Sequence, residues 1–568
     1  MISKLKNILS DKINEAVFIN TKDPFLSEYS KEGFNLLEKF TNFSGSNGYL
    51  LLTKNHQFFI TDGRYLKQAE DQFGNEMQIF DLQNIKKITL DENLKVNFPA
   101  LQFSISEIEF FKKNLNQNIS FVPQDIKFFD TTNPKLNFIS DISLIDDINS
   151  GKSLDDKIED LISLIDLGPD EIYISCDNSS ISWLLNVRSL DVAFNPVLCS
   201  YLIVSKDKIR LFADFKDHKK IISNSEKFEI EIISKQNLFD VISQLSKFNQ
   251  KVKCDPKITN YFFKDAFGEE NLIYINDVII DLKSVKNDVE IKNIKQAHIE
   301  DGIALTKFLY WLDSQTDKSK LSELDLIHKL ATYRINSLNY MGPSFHTICG
   351  FASNGAIIHY KASEETNKYL NEDSVVLIDS GGQYLYGTTD VTRTIAIGKP
   401  PEEIKRNFTL VLKGHIALSK LRFPKNNTGA ALDSIARQFL WLNGLDYAHG
   451  TGHGVGYYLN VHEGPQSISP KSTSKLKSRM VLSNEPGYYK NNHYGIRIEN
   501  LELVKDSQND FLEFETLTLA PIDKSLIDIK LLNPDEIRWY NDYHDKILTA
   551  LKSSLDQNEL NWLKNHKL

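Results

Sequence analysis

Val375-Val-Leu-Ile-Asp-Ser-Gly-Gly, running on through Tyr384-Leu-Tyr-Gly-Thr-Thr-Asp-Val-Thr-Arg393, and Met480-Val-Leu-Ser-Asn-Glu-Pro-Gly, followed by His493-Tyr-Gly-Ile-Arg-Ile-Glu-Asn500, are two stretches of the same design. Each reads as an apolar strand ending in a carboxylate, a turn containing glycine, and a return strand with a second carboxylate. Asp379 and Asp390 stand 11 positions apart, and Glu485 and Glu499 stand 14 apart. Side chains facing each other across antiparallel strands lie about 5 Å apart, so each unit offers a carboxylate pair to one point in space. Either unit alone is ordinary turn chemistry, because acidic residues beside glycine are common in loops. Together they mean more. Four carboxylates meeting in an interior repel one another and resist ionisation, and two divalent cations would supply the counter-charge. Hard oxygen donors with a single imidazole suit manganese, iron, cobalt or zinc.

The imidazole stands between the two units. Of 13 histidines, seven (His346, His359, His415, His449, His453, His462 and His493) fall between residues 346 and 493. The densest run is His449-Gly-Thr-Gly-His453-Gly-Val-Gly, followed by His462-Glu-Gly-Pro465. Its glycines let backbone approach a ligand closely. They also exclude a regular helix, so His449 and His453 are not a helical zinc pair. The run lacks the Lys-Ser/Thr of a phosphate loop and the G-x-G-x-x-G order, and neither H-E-x-x-H nor G-x-S-x-G occurs. Upstream, Ser344-Phe-His-Thr leads through Asn354-Gly-Ala-Ile-Ile to His359, 20 residues before Asp379. There the apolar run predicts a strand, with His359 either a half-buried strand histidine or a site residue.

Outward from this centre, Val289–Leu312 shows apolar residues at helical spacing and opens the segment that carries the chemistry. A polar stretch at Lys283-Ser-Val-Lys-Asn-Asp288 marks a boundary before it, and Asp146-Asp-Ile-Asn-Ser-Gly-Lys152 marks an earlier one. Before each boundary lies an α/β texture containing two paired strands, Gly48–Thr53 with Gln57–Thr61 and Ser200–Ser205 with Lys208–Asp214, the latter turning at Lys206-Asp207. The two halves read as related copies. After residue 505, Asn533-Pro-Asp-Glu536 is a helix start with an Asn cap and Pro in the first turn. Ile537, Tyr540, Ile547 and Leu548, then Leu560, Trp562 and Leu563, read as packing residues. The expected organisation is 1–146, 147–284, 285–505 and a C-terminal extension at 506–568.

Composition bounds the rest. The chain has 568 residues, 41% hydrophobic and 25% charged, with a formal net charge of -10. That length exceeds a single core, and the negative balance disfavours nucleic acid or an anionic membrane as partner. Cys176, Cys199, Cys254 and Cys349 form no C-x-x-C pair and read as free, buried thiols. No signal-like apolar region opens the chain and no 18-residue apolar run occurs, so a cytoplasmic protein is expected.

Taken together these segments closely resemble the aminopeptidase P (X-Pro aminopeptidase) family, within the creatinase, prolidase and methionine aminopeptidase group. The likeness extends to Asn42-Phe-Ser-Gly-Ser-Asn-Gly, Thr61-Asp-Gly-Arg-Tyr, Trp183-Leu-Leu-Asn-Val-Arg, Phe194-Asn-Pro-Val and Trp539-Tyr-Asn-Asp-Tyr-His. One departure is visible: Ser189 stands where the family pattern has glycine. The resemblance implies an α/β (α+β) chain. Two creatinase-like domains precede a pita-bread catalytic domain and a helical extension. It implies that Asp379, Asp390, His453, Glu485 and Glu499 bind two divalent ions, manganese first, with zinc, cobalt or iron as alternatives. Glu485, His359 and His462 would be catalytic. His449, Phe345 and Arg497 would bind substrate, shaping the proline pocket and the surroundings of the second acidic unit. The implied activity is hydrolysis of the bond between an N-terminal residue and proline by a metal-bridged hydroxide, in a homodimer. A prolidase with the same metal set is the alternative. A metal-free pita-bread binding protein and a plain interaction scaffold are the others.

Overall fold

The computed structural model describes residues 2–9, 14–90, 93–115, 119–130, 132, 135–206, 208–218, 221 and 225–568. The described chain divides into two compact units, Met1–Leu282 and Lys283–Leu568.

The first unit holds two six-stranded sheets. One runs Gln78–Asp81, Gln57–Thr61, Tyr49–Leu52, Glu15–Asn20, Lys95–Pro99, Ser120–Gln124. The other runs Ile230–Ile233, Ile209–Phe212, Tyr201–Val204, Glu171–Ser175, Lys251–Cys254, Leu272–Tyr274. In both, the second to fourth strands are mutually antiparallel and the outer pairings are parallel. Order and direction match strand for strand, so the two halves share one topology. Both paired-strand expectations hold, at Tyr49–Leu52 with Gln57–Thr61 and at Tyr201–Val204 with Ile209–Phe212. Asp207, in the second turn, lies outside the described residues.

The second unit begins with the helix Asp288–Asp313. Its start is a capping box: Asn287 Oδ1 accepts from the Glu290 N–H, and the Glu290 carboxylate accepts from the Asn287 N–H. Such caps are worth about 1 kcal/mol. Lys283 and Lys286, in the stretch read as a boundary, are buried. They flank Glu463 at 2.9 and 2.6 Å. Two sheets carry the acidic segments. The strand Ser374–Ser380 lies between Ile348–Phe351 and Val391–Ile397. A six-stranded sheet runs Arg422–Pro424, Phe511–Thr516, Asn500–Asp506, Val481–Asn484, Gly452–Gly454, Glu463–Ile468.

Helix Pro534–Leu551 starts at the expected Asn533 cap with Pro at the first turn. It buries Tyr540, Tyr543, Ile547 and Leu551 in the same core as Phe408, Val411, Ile496 and Ile498. A fully buried Leu or Ile side chain contributes about 1.5–3 kcal/mol, so the C-terminal helix is part of this core. All four cysteines are free and buried, as expected. Among the described residues no helix is long and apolar enough to cross a membrane.

Candidate active site

The two acidic units share one plan, which differs from the simple hairpins expected. Strand Ser374–Ser380 pairs antiparallel with Val391–Ile397, Asp379 opposite Thr392, and Asp390 lies just before the return strand. Between them the chain makes a separate small hairpin, Gly382–Tyr384 with Gly387–Thr388. The second unit repeats this arrangement. Strand Val481–Asn484 pairs with Asn500–Asp506, Asn484 opposite Asn500. Glu485 and Glu499 flank that pair, and the hairpin Gly487–Lys490 with Tyr494–Arg497 departs between them. Asp390, Glu485 and Glu499 therefore sit just outside the ladders, at the roots of excursions, and Asp379 one pair inside its own.

These roots meet. Donor atoms of Asp390, His453 and Glu499 all lie within 4.8 Å of one another. His453 Nε2 is 3.4 Å from Asp390 Oδ2 and 3.7 Å from Glu485 Oε1. Asp379 joins through Arg497, whose Nη2 donates to Asp379 Oδ2 at 2.7 Å. His453 lies on the strand Gly452–Gly454, its N–H donating to Ser483 Oγ at 3.0 Å and its Nδ1 directed at the Gly454 carbonyl at 3.0 Å. The flanking glycines are required by space: a Cβ on Gly452 would lie 2.0 Å from the Ser483 carbonyl oxygen, and one on Gly454 2.1 Å from that of Glu463.

Electrostatics show what the cluster lacks. Burial pushes the Asp379 carboxyl up to about 7; Arg497 opposes this, while Asp390 and Glu485 add to it. Burial, with Asp390, Asp379 and Glu485 nearby, holds Glu499 well above the usual carboxylate range. Glu485 is raised, again by burial first. Burial works to lower His453, but the Asp390 and Glu485 carboxylates outweigh it and raise the imidazole to about 9. Asp379 Oδ1 and Asp390 Oδ1 are buried with no hydrogen-bond partner among the described residues. Orphaned carboxylate oxygens aimed into an anionic cluster are the donor set that hard divalent cations satisfy. The residues fit such ions. Asp379, Asp390 and Glu499 form the buried floor, while Glu485 and His453, with side chains 18% and 20% exposed, face the open side.

The other expected residues are placed as follows. The His462 ring meets that of His453 edge-on, centroids 4.4 Å apart. His449 is held at both nitrogens, Nδ1 by the Gly450 carbonyl at 2.7 Å and Nε2 by the Tyr489 hydroxyl at 2.8 Å. Its ring face is what it offers a ligand. Phe345 is buried, and its neighbour Ser344 donates to the Thr389 carbonyl beside Asp390. His359 does not follow a strand, as expected from the Ala-Ile-Ile run; it follows the 3-10 turn Ala352–Ala356, which packs on the strand of Arg497 through Gly355 and Gly495. Arg497, expected to bind substrate around the proline pocket and the second acidic unit, lies on that unit's hairpin and spends each nitrogen on protein: Nη2 on Asp379, Nη1 on Tyr489 and Nε on Thr392. It is a holder of Asp379. His346 and His493 are exposed, and His415 is buried on the helix Glu402–Ser419.

Sequence reading missed three supporting residues. Thr392 Oγ1 donates to Glu499 Oε2 at 2.8 Å. Tyr489 joins Arg497 to His449, and Ser483 receives the His453 N–H. Thr392 lies inside the quoted Asp390-Val-Thr-Arg run, so its position was visible though its partner was not.

Comparison with known proteins agrees with this geometry. Residues 292–506 match the model of metallopeptidase family M24. Residues 133–290 match the creatinase/prolidase N-terminal domain, and 510–567 the C-terminal region of the M24 peptidases. Xaa-Pro aminopeptidase 1 of Dictyostelium discoideum is 33% identical over 99% of this chain and 95% of its own length. A solved X-prolyl aminopeptidase of Caenorhabditis elegans, described as a cytosolic enzyme with a di-nuclear active site, superposes with a TM-score of 0.90 at 30% identity. It covers 100% of this chain and 99% of its own. The prolidase of Pyrococcus furiosus gives a TM-score of 0.50 at 25% identity, covering 63% of this chain and 98% of its own. The expected architecture, creatinase-like sheets followed by a pita-bread domain and a helical extension, is the one found. The chain belongs to the Xaa-Pro aminopeptidases of metallopeptidase family M24.

Proposed function

We propose that the chain removes the N-terminal residue from peptides with proline second, with Asp379, Asp390, His453, Glu485 and Glu499 holding two divalent cations, manganese first. The observation that carries this reading is the convergence of Asp390, His453 and Glu499 within 4.8 Å beside two orphaned carboxylate oxygens. When bound, paired divalent cations neutralise such carboxylates and make water a usable nucleophile near neutral pH.

The chain's own residues then divide the work. Glu485, on the open side, takes a proton from the attacking water as its oxygen bonds the carbonyl carbon of the residue before proline. The C–N bond breaks, and Glu485 returns that proton to the proline nitrogen. This nitrogen carries no hydrogen while in the peptide bond, so the proton is needed for it to leave as an amine. The products are a free amino acid and a peptide beginning with proline. His462, packed against His453, or His359 donates toward the carbonyl oxygen as charge develops. The His449 ring face and Phe345 flank the proline ring. Arg497 keeps Asp379 aimed.

A cytoplasmic homodimer belongs to the same reading, as does the division into 1–146, 147–284, 285–505 and 506–568. The matching six-stranded sheets support the division at 146, and the description of the Caenorhabditis elegans relative as a cytosolic enzyme supports the location. The test is direct. With manganese supplied, an X-Pro-Y tripeptide should be cleaved after X. Cleavage of an X-Pro dipeptide alone would turn the assignment to a prolidase, the alternative with the same metal set.

A further inference from the structure

Arg393 is 3% exposed and fully surrounded by protein. Its Nη1 donates to the carbonyls of Thr392 and Glu499 at 2.8 and 2.6 Å, and its Nε to that of Pro521 at 3.0 Å. Its Nη2 faces Asn500 Oδ1, the Ala520 carbonyl and the Tyr543 hydroxyl oxygen at 2.8, 2.7 and 2.8 Å. These acceptors are neutral oxygens from four separate segments, Thr392, Glu499-Asn500, Ala520-Pro521 and Tyr543. A buried guanidinium is costly unless its geometry is well satisfied, so this arrangement fixes all four segments to one another. The first two lie at the return strands that directly follow Asp390 and Glu499. The other two belong to the C-terminal extension.

Tyr543, on the helix Pro534–Leu551, completes the arrangement. Its oxygen accepts from Arg393, and its O–H has the Ala520 carbonyl at 2.8 Å and Asn500 Oδ1 at 3.2 Å as acceptors. Asn500 in turn donates from Nδ2 to His415 Nε2 at 3.1 Å. His415 Nδ1 donates to the Asn484 carbonyl at 3.1 Å, and Asn484 Nδ2 donates back to the His415 carbonyl at 3.0 Å. Asn484 and Asn500 directly precede Glu485 and follow Glu499, respectively. One buried polar chain thus runs from the C-terminal helix to the backbone on the far side of both glutamates.

We propose that Tyr543 is a positioning residue for the metal site, acting through Arg393 and Asn500 on Glu499, which makes the C-terminal extension a working part of the active centre. This rests on the reading of Glu499 as a metal ligand. Supporting partners of ligands typically tune metal affinity about 10–100-fold.

The test is calorimetric titration of manganese into the chelator-stripped full chain, with Tm of the stripped protein as a fold control. Wild-type protein should bind manganese; no binding would overturn the metal reading and this proposal with it. Tyr543→Phe should weaken manganese binding about tenfold. Tyr540→Phe is the control, because the Tyr540 hydroxyl donates to the Ile522 carbonyl rather than to Arg393 or Asn500. It should lower Tm without weakening manganese binding. Wild-type affinity in Tyr543→Phe, alongside a Tm loss like that of Tyr540→Phe, would reduce Tyr543 to packing. Should Tyr543→Phe not fold, Asn500→Ala breaks the same chain. Weakened binding there supports the proposal and unchanged binding overturns it.

Discussion

Arg497 donates to one oxygen of Asp379 at 2.7 Å, while the other oxygen of that carboxylate is buried with no hydrogen-bond partner among the described residues. The arginine thus does two things. It restrains the carboxylate's rotation, and it lowers its proton affinity against burial. A lysine cannot reproduce the planar fork that also reaches Tyr489 and Thr392. Arg497→Lys is expected to weaken manganese binding about 10–100-fold while the chain still folds. Dialysis against manganese of known concentration, followed by metal analysis, checks it. Wild-type occupancy in the variant would mean Arg497 has no hold on the site.

His453 is placed by its neighbours' lack of side chains. Gly452→Ala sets a Cβ 2.0 Å from the Ser483 carbonyl oxygen, closer than a non-bonded carbon can stand. The strand must shift, and His453 with it. A misplacement of about 1 Å costs on the order of 10²-fold in rate. Tripeptide turnover by Gly452→Ala at saturating manganese should fall by at least that order. Full activity would show that the strand can move without carrying its imidazole along.

Removal of metal should invert the pH dependence of stability. Asp379 is raised to about 7 in the folded chain, and Glu499 and Glu485 are also raised. Unfolded carboxyls titrate near pH 4, so between about pH 4 and 7 the folded state binds more protons and loses stability as pH rises. His453, raised to about 9, acts in the same direction. Its contribution is complete below the unfolded value near 6.5 and is lost as pH climbs through the folded value. Cations replace those protons. The Tm gain on adding manganese should therefore widen from pH 5 to pH 8, as read by scanning calorimetry. A gain that shrank across that range would contradict the buried-carboxylate account.

Glu463 sits between Lys283 and Lys286, all three buried. Glu463→Ala leaves two buried ammonium groups without their partner, and breaking such a pair costs about 3–5 kcal/mol. Lys286→Met should cost less, because Lys283 still faces the carboxylate. Urea unfolding followed by tryptophan fluorescence ranks the two. Equal losses would mean that the lysines do not share the charge.

Much of the candidate site was legible because its residues obey a local rule: carboxylates at strand ends, glycines around an imidazole. Asp379, Asp390, His453, Glu485 and Glu499 follow that rule, and the structure gathers them. The supports do not. Thr392 finds its partner 107 positions away and Arg393 reaches Tyr543 150 positions on. No spacing or periodicity announces such contacts. The burial of Lys283 and Lys286 was illegible for the same reason, since their partner Glu463 is 177 positions from Lys286. The strand expected before His359 failed differently. A short apolar run fits either a strand or a helical turn, and here the turn won. The repeated sheet in the first unit was readable from its paired strands, since period-two apolar runs with polar turns are a local signal.

The two excursions departing between clustered carboxylates have an evolutionary consequence. The carboxylates stand near the points where each small hairpin leaves its sheet, whereas the far end of the second, Asn491 to His493, is exposed. Lengthening or recolouring that tip changes the surface and leaves the buried acidic roots in place. Architecture of this kind lets the outer end drift while the inner end stays put.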